Sequence, residues 1–242
     1  ANDTGGASGY LNEGAIFNGT DASIDIESST LIQNNIKSFS FWFKRKFFFG
    51  FYDPSSATSS DRRRWFIDNN TDGSIKIQVN NDQYNYEQTG ITEDDDWHHL
   101  AVVDDGNIYL DGTVLATTFS TSYWITDGTN GTSRDTIRIG SGDFEGSAST
   151  SFVEGQFDHL RFYDKSLSQS EVTELKNETT ASNITISDLS AFYKFNGNFQ
   201  DDLQVYDGVG TNVIFRYDGT ASNVTFQGST NFAPDFIWTK MI

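Results

Sequence analysis

His99-Leu100-Ala101-Val102-Val103, then Asp104-Asp105-Gly106, then Asn107-Ile108-Tyr109-Leu110, is an apolar run, a turn and a second apolar run. β-Branched and aromatic residues suit a pleated, half-buried surface, and Asp and Gly supply the turn conformations that join antiparallel strands. Asp111-Gly112 is a second turn of this kind and leads into Thr113 to Thr117. Further out, Ser38-Phe39-Ser40-Phe41-Trp42-Phe43-Lys44 alternates with period two, which places Phe39, Phe41 and Phe43 on one face. Ile75-Lys76-Ile77-Gln78-Val79 repeats the pattern. Ile137-Arg138-Ile139 and Asp158 to Tyr163 add two more strands, with Leu160 and Phe162 sharing a side. Short strands separated by turns predict an all-β fold, an antiparallel β-sandwich or jelly roll.

One segment departs from this pattern. Ser168-Gln169-Ser170-Glu171 is a capping box, and Val172 and Leu175 give the following turns an apolar stripe. One short helix is predicted near 168–177. Thr179 to Ser187 is polar and reads as a connector. Strand-like sequence then resumes at Ala191 to Phe195, Val213 to Phe215 and Val224 to Phe226.

With 242 residues, 36% of them hydrophobic and 15% aromatic, the chain can bury a sizeable core. It reads as one large domain, or one domain with an appendage. The net charge of −18 argues against nucleic acid as a partner and makes anionic membrane surfaces poor ones. No run of 18 apolar residues is present, so no membrane insertion is expected. Ala1 to Tyr10 lacks the basic and apolar regions of a signal peptide, which leaves open a removed leader or a longer parent chain. Without cysteine there is no disulfide or thiol chemistry, and three histidines offer little for zinc.

Ala15-Ile16-Phe17-Asn18-Gly19-Thr20, then Ser23-Ile24-Asp25-Ile26, resembles the opening of a LamG-like, concanavalin A-like jelly roll. Trp97-His98-His99-Leu100-Ala101-Val102-Val103 with Asn107 to Gly112 resembles the best-known stretch of that family. Ile137 to Gly140 and Gly155 to Ser168 are similar to its closing strand and helix. The resemblance runs in order from about 15 to 177 and implies a LamG-like sandwich over 1–178. The segment 179–242 is similar, at Leu189 to Asn198 and Asp218 to Phe226, to material that normally precedes the Phe-Asn-Gly segment. Three arrangements follow for it: closing this same sandwich, opening a second module, or pairing with a neighbouring subunit. Asn231 to Lys240 resembles the start of a module found in marine phage virion and tail-appendage proteins.

The chemistry points away from catalysis. Glucanases of this class carry Glu-x-Asp-x-Glu on one strand. Ser23-Ile24-Asp25-Ile26-Glu27 approaches that motif but has Ser at its first acidic position. No nucleophile elbow, His-Glu-x-x-His or phosphate loop appears. In Trp97-His98-His99 one histidine is expected to be buried against a partner, with Asp158 as candidate, and Trp97 is expected in the core. Calcium, if bound, is expected at Asp143 and Glu145, ahead of Glu93 to Asp96 and of Asp104 with Asp105.

Aromatic faces that could stack on sugar rings are the loop residues Tyr84, Tyr86, Tyr123 and Trp124. Phe47 to Tyr52 is also rich in rings but reads as core or interface. Arg62-Arg63-Arg64 is either a solvated loop or a docking patch for an acidic neighbour. Sequons such as those at Asn18, Asn130, Asn177 and Asn183 are expected from composition.

The sequence therefore predicts a non-catalytic adhesion or carbohydrate-binding module, extracellular or on a virion surface such as a phage tail appendage. Its partner would be a cell-surface glycan or neighbouring structural subunits in a homo-oligomer or larger assembly. The alternatives are a purely structural subunit of a fibre, filament or capsid decoration, and a glycoside hydrolase.

Overall fold

The structure, a computed structural model, describes residues 14–27, 36–52, 65–69, 74–79, 82–88, 95–115, 136–142, 152–178, 186–195, 214–216 and 225–227. Two antiparallel sheets stack as a sandwich. The first, in spatial order, is β10 (Thr113–Val114), β9 (Ile108–Leu110), β8 (Trp97–Val103), β3 (Ser38–Arg45), β12 (Glu154–Tyr163), β1 (Gly14–Asn18) and β15 (Thr225–Gln227). In the same sheet β13 (Leu189–Tyr193) also pairs with β12. The second sheet is β14 (Ile214–Arg216), β2 (Ile24–Glu27), β11 (Thr136–Ile139), β4 (Phe48–Tyr52), β5 (Trp65–Asn69), β6 (Ser74–Val79) and β7 (Asp82–Gln88). The all-β jelly-roll expectation is borne out.

Alternation fills the space between the sheets. Phe39, Phe41 and Phe43 of β3 point inward and meet Phe49, Phe51 and Trp65 of the second sheet, all essentially buried. Ring centroids of Phe39 and Phe49 lie 4.9 Å apart, and those of Phe41 and Phe157 lie 4.4 Å apart. Each buried ring contributes roughly 1.5–3 kcal/mol through removal from water. Phe47 to Phe51, a run without alternation, is buried throughout because Phe48 and Phe66 pack together on the outer side while their neighbours face inward.

Strand β12 needs a correction of phase to serve this core. Phe157 faces inward, so strict alternation would turn Leu160 and Phe162 outward. His159 takes a left-handed conformation (φ 50°) as an extra residue, and the register with β3 shifts between Asp158 and Arg161. The bulge resets the phase, so Phe157, Leu160 and Phe162 all reach the core, while Asp158 and Arg161 share the outer face.

The helix forms where the capping box predicts it. α1 (Gln169–Lys176) begins at Ser168, whose side chain accepts from the Glu171 N–H while the Glu171 carboxylate accepts from the Ser168 N–H. Val172 and Leu175 bury themselves against Ala101, Val103, Tyr109 and Tyr163 on the outer face of the first sheet. Just past its end, Glu178 forms a doubly hydrogen-bonded pair with the buried Arg161, one contact being 2.7 Å. The Arg161 guanidinium also lies 3.9 Å from the centre of the Phe192 ring.

Of the described strands beyond the helix, β14 and β15 pair with strands early in the chain and β13 pairs with β12. β1 pairs with Glu154 to Phe157 and β13 with Leu160 to Tyr163, so these two lie end to end along one edge of β12. β3 occupies the other edge. Ala191, Tyr193 and Phe195 are fully buried, and the rings of Phe157 and Phe195 are 5.9 Å apart. β14 pairs with β2, and β15 with β1.

Candidate ligand-binding site

The site grows from the corner where the chain leaves β3 for the second sheet. Arg45 ends β3 in a left-handed conformation (φ 65°). Asn69, buried on β5, pins the corner: its side chain accepts from Phe47 N–H at 2.7 Å and donates to the Arg45 carbonyl at 2.8 Å. Gly155 on β12 makes room beneath, since a Cβ there would stand 2.1 Å from the Lys46 carbonyl oxygen and 2.8 Å from that of Lys44. Only glycine fits so close an approach of backbones.

This turn aims the Arg45 guanidinium at two carboxylates. Its Nε donates to Asp95 at 2.7 Å and its Nη1 to Glu154 at 3.0 Å. The hydrogen bond and charge of Arg45 hold the Asp95 carboxyl below its ordinary value. Beside the bridge lies a cleft of about 350 Å³ lined by Ile16, Asn18, Lys44, Arg45, Asp95 and Glu154, with Gln156 completing its wall.

Cross-strand register orders the floor. Ile16 is paired with Gln156, Gln156 with Lys44, and Lys44 with Trp97, giving one row across β1, β12, β3 and β8. All four are half-buried. The Trp97 indole reaches along the outer face until its Cη2 is 3.5 Å from where a Cβ on Gly14 would stand. The indole is therefore a surface aromatic and not the core residue expected from sequence. Among the described residues the side chains of Lys44 and Gln156 make no hydrogen bond or ion pair. Asn18, by contrast, is engaged: its side-chain Oδ1 accepts from the N–H groups of Thr20, Asp21 and Ala22.

The next two rows hold the histidines. Asp111, left-handed in its Asp-Gly turn (φ 50°), accepts from His98 Nδ1 at 2.7 Å and from the His99 N–H at 2.9 Å. Burial alone would raise the Asp111 carboxyl, but these bonds outweigh it and hold the group below its ordinary value. His99 is wholly buried against Trp42, and neither ring nitrogen has a hydrogen-bond partner among the described residues. Burial, with Arg161 nearby, lowers its pKa to about 3, so the ring is neutral. The expected partner of the tandem pair, Asp158, instead accepts from the His159 N–H at 2.7 Å, with His159 Nδ1 at 2.9 Å. The partner seen for the pair is Asp111, because the Asp-Gly turn folds back onto the start of β8.

Of the remaining sequence candidates, the described ones lie elsewhere. Tyr84 and Tyr86 are in strand β7 and not in a loop, opposite Ile77 and Lys76 and on the other sheet from the cleft. Gln83-Tyr84-Asn85-Tyr86 alternates with period two and so could have been read as strand. Tyr123, Trp124, Asp143, Glu145 and Arg62 to Arg64 lie outside the described residues. Asp25, the carboxylate nearest to a glucanase motif, is held by Arg138 at 2.6 and 2.5 Å and is almost buried. Among the described residues no cluster of three metal-ligating side chains occurs, and no helix is long and apolar enough to cross a membrane.

Residues 18–173 match Laminin_G_3, of the concanavalin A-like lectin/glucanases superfamily. The chain belongs to this family. The fold is similar to that of the carbohydrate-binding module CBM40 of the Ruminococcus gnavus IT-sialidase, at a TM-score of 0.53 and 14% identity, over 69% of this chain and 100% of that one. The same module bound to α2,6-sialyllactose gives a TM-score of 0.54 at 13% identity, with the same coverage. A heptameric SAP-like pentraxin from Limulus polyphemus is similar at 0.47 and 15% identity, over 77% of this chain and 93% of that one. No curated protein matches significantly.

Proposed function

We propose that this Laminin_G_3 chain is a non-catalytic carbohydrate-binding module that serves adhesion outside the cell or on a virion surface, as in a phage tail appendage. The observation that carries the reading is the row Trp97, Lys44, Gln156 and Ile16 beside the cleft. An indole face, unengaged polar groups and an aliphatic contact are what a sugar ring requires. The solved module of similar fold is bound to α2,3- and α2,6-sialyllactose, which supports glycans as the ligand class. Asp25 lends no support to hydrolysis, since Arg138 occupies both of its oxygens.

The pairing of β13, β14 and β15 with β12, β2 and β1 supports reading 179–242 as part of this sandwich. Calcium at Asp143 and Glu145 belongs to the same proposal, and addition of a chelator would then lower the melting temperature. The test of function is a glycan array probed with the full chain, followed by titration calorimetry. Trp97→Ala should weaken binding at least about tenfold while the fold melts cooperatively. Binding unchanged by that substitution would remove this site from the proposal.

A further inference from the structure

We infer that the cleft selects sugars bearing a carboxylate, with Lys44 as the residue that recognises the charge; this rests on the carbohydrate-binding reading above. Two cations and two carboxylates meet at the cleft, but the hydrogen bonds are unevenly shared. Arg45 takes both Asp95 and Glu154. The Lys44 ammonium acts on Asp95 only as a longer-range charge and has no hydrogen bond or ion pair among the described residues. Lys44 is thus a half-buried lysine without a carboxylate of its own, in a chain of net charge −18.

Its neighbours show what would approach it. Adjacent strands are spaced about 4.8 Å apart, so the Trp97 and Gln156 positions flank Lys44 at roughly the width of a pyranose ring. A sugar ring on the indole brings a ring substituent to Lys44. A carboxylate there gains a charge-assisted hydrogen bond, which a hydroxyl provides only weakly. Gln156 can donate to and accept from ring hydroxyls, and Ile16 gives an aliphatic contact at the far end of the row. Sialic and uronic acids share this chemistry.

The experiment is calorimetric titration of the full chain with matched pairs: 3′-sialyllactose against lactose, and methyl β-glucuronide against methyl β-glucoside. At least one acid should bind about tenfold tighter than its neutral partner, and which acid does so identifies the source of the carboxylate. Lys44→Gln should bring the ratio close to one, and Lys44→Arg should restore much of it. Because Lys44 is half-exposed, both variants should melt like the parent. Equal binding of acid and neutral sugar, a preference that survives Lys44→Gln, or array binders that are neutral or sulfated would overturn the inference and leave the wider reading standing. An array without any binder would overturn both.

Discussion

Gly155 lies directly beneath Lys46, so close that a Cβ at 155 would stand 2.1 Å from the Lys46 carbonyl oxygen. The corner that presents Lys44 and Arg45 therefore depends on a missing side chain more than a hundred residues further along the chain. Gly155→Ala must push the turn aside or break its pairing with β12. A loss of about 1–3 kcal/mol in urea unfolding is expected, with weaker sugar binding. An unchanged midpoint would show that the corner yields at no cost.

Arg161 and Glu178 make the second test. Both are buried, and removing one leaves the other charged and unpaired. Glu178→Gln or Arg161→Met should cost about 3–5 kcal/mol. The double replacement Arg161→Met with Glu178→Leu should cost much less, because no orphan charge remains. Equal losses in the single and double variants would mean that the pair matters through packing on Phe192.

Histidine burial makes stability depend on pH with a definite sign. The folded-state pKa of His99 is lowered to about 3, and that of His159 falls well below the ordinary value, burial being the leading cause in each. Arg161 faces both, with Lys176 and Asp111 near His99 and Lys194 near His159. Above about pH 6.5 neither state binds these protons; below it only the unfolded chain does, so stability falls as the pH falls. Each ring contributes up to about 1.4 kcal/mol per pH unit. Urea midpoints between pH 7 and 5 should drop less steeply for His99→Leu than for the parent, and parallel slopes would refute the assignment.

Asp111 serves two donors from a left-handed position. Asp111→Asn keeps an acceptor and tolerates the conformation, so a loss of about 1 kcal/mol is expected. Asp111→Ala loses both bonds and adds strain, and should cost about 2 kcal/mol or more. Thermal melts that rank the two variants the other way would discount the turn's role.

Period-two runs such as Ser38 to Lys44 and the capping box at Ser168 carried enough local information to predict the sandwich and its helix. The short strands Ile214–Arg216 and Thr225–Gln227 were legible as strand-like sequence at Val213 to Phe215 and Val224 to Phe226, but where they pair was not, because their partners β2 and β1 are about two hundred residues away. The site was legible least. Ile16, Lys44, Trp97 and Gln156 are each one step in an ordinary alternation, and only register across four strands makes them neighbours. The bulge at His159 was invisible for a related reason: its signal is a phase slip between Phe157 and Leu160, which a search for strict alternation skips.

The end-to-end placement of β1 and β13 along β12 also has a consequence for synthesis. At about 5–20 residues per second, the ribosome delivers β1, β3 and β12 well before β13. Until Leu189–Tyr193 emerges, the Leu160 to Tyr163 edge stays unpaired, and the space filled by Tyr193 and Phe195 stays empty. A nascent chain in that interval displays an apolar, hydrogen-bond-hungry border of the kind that captures other strands. The net charge of −18 opposes such capture between copies, since like-charged chains repel.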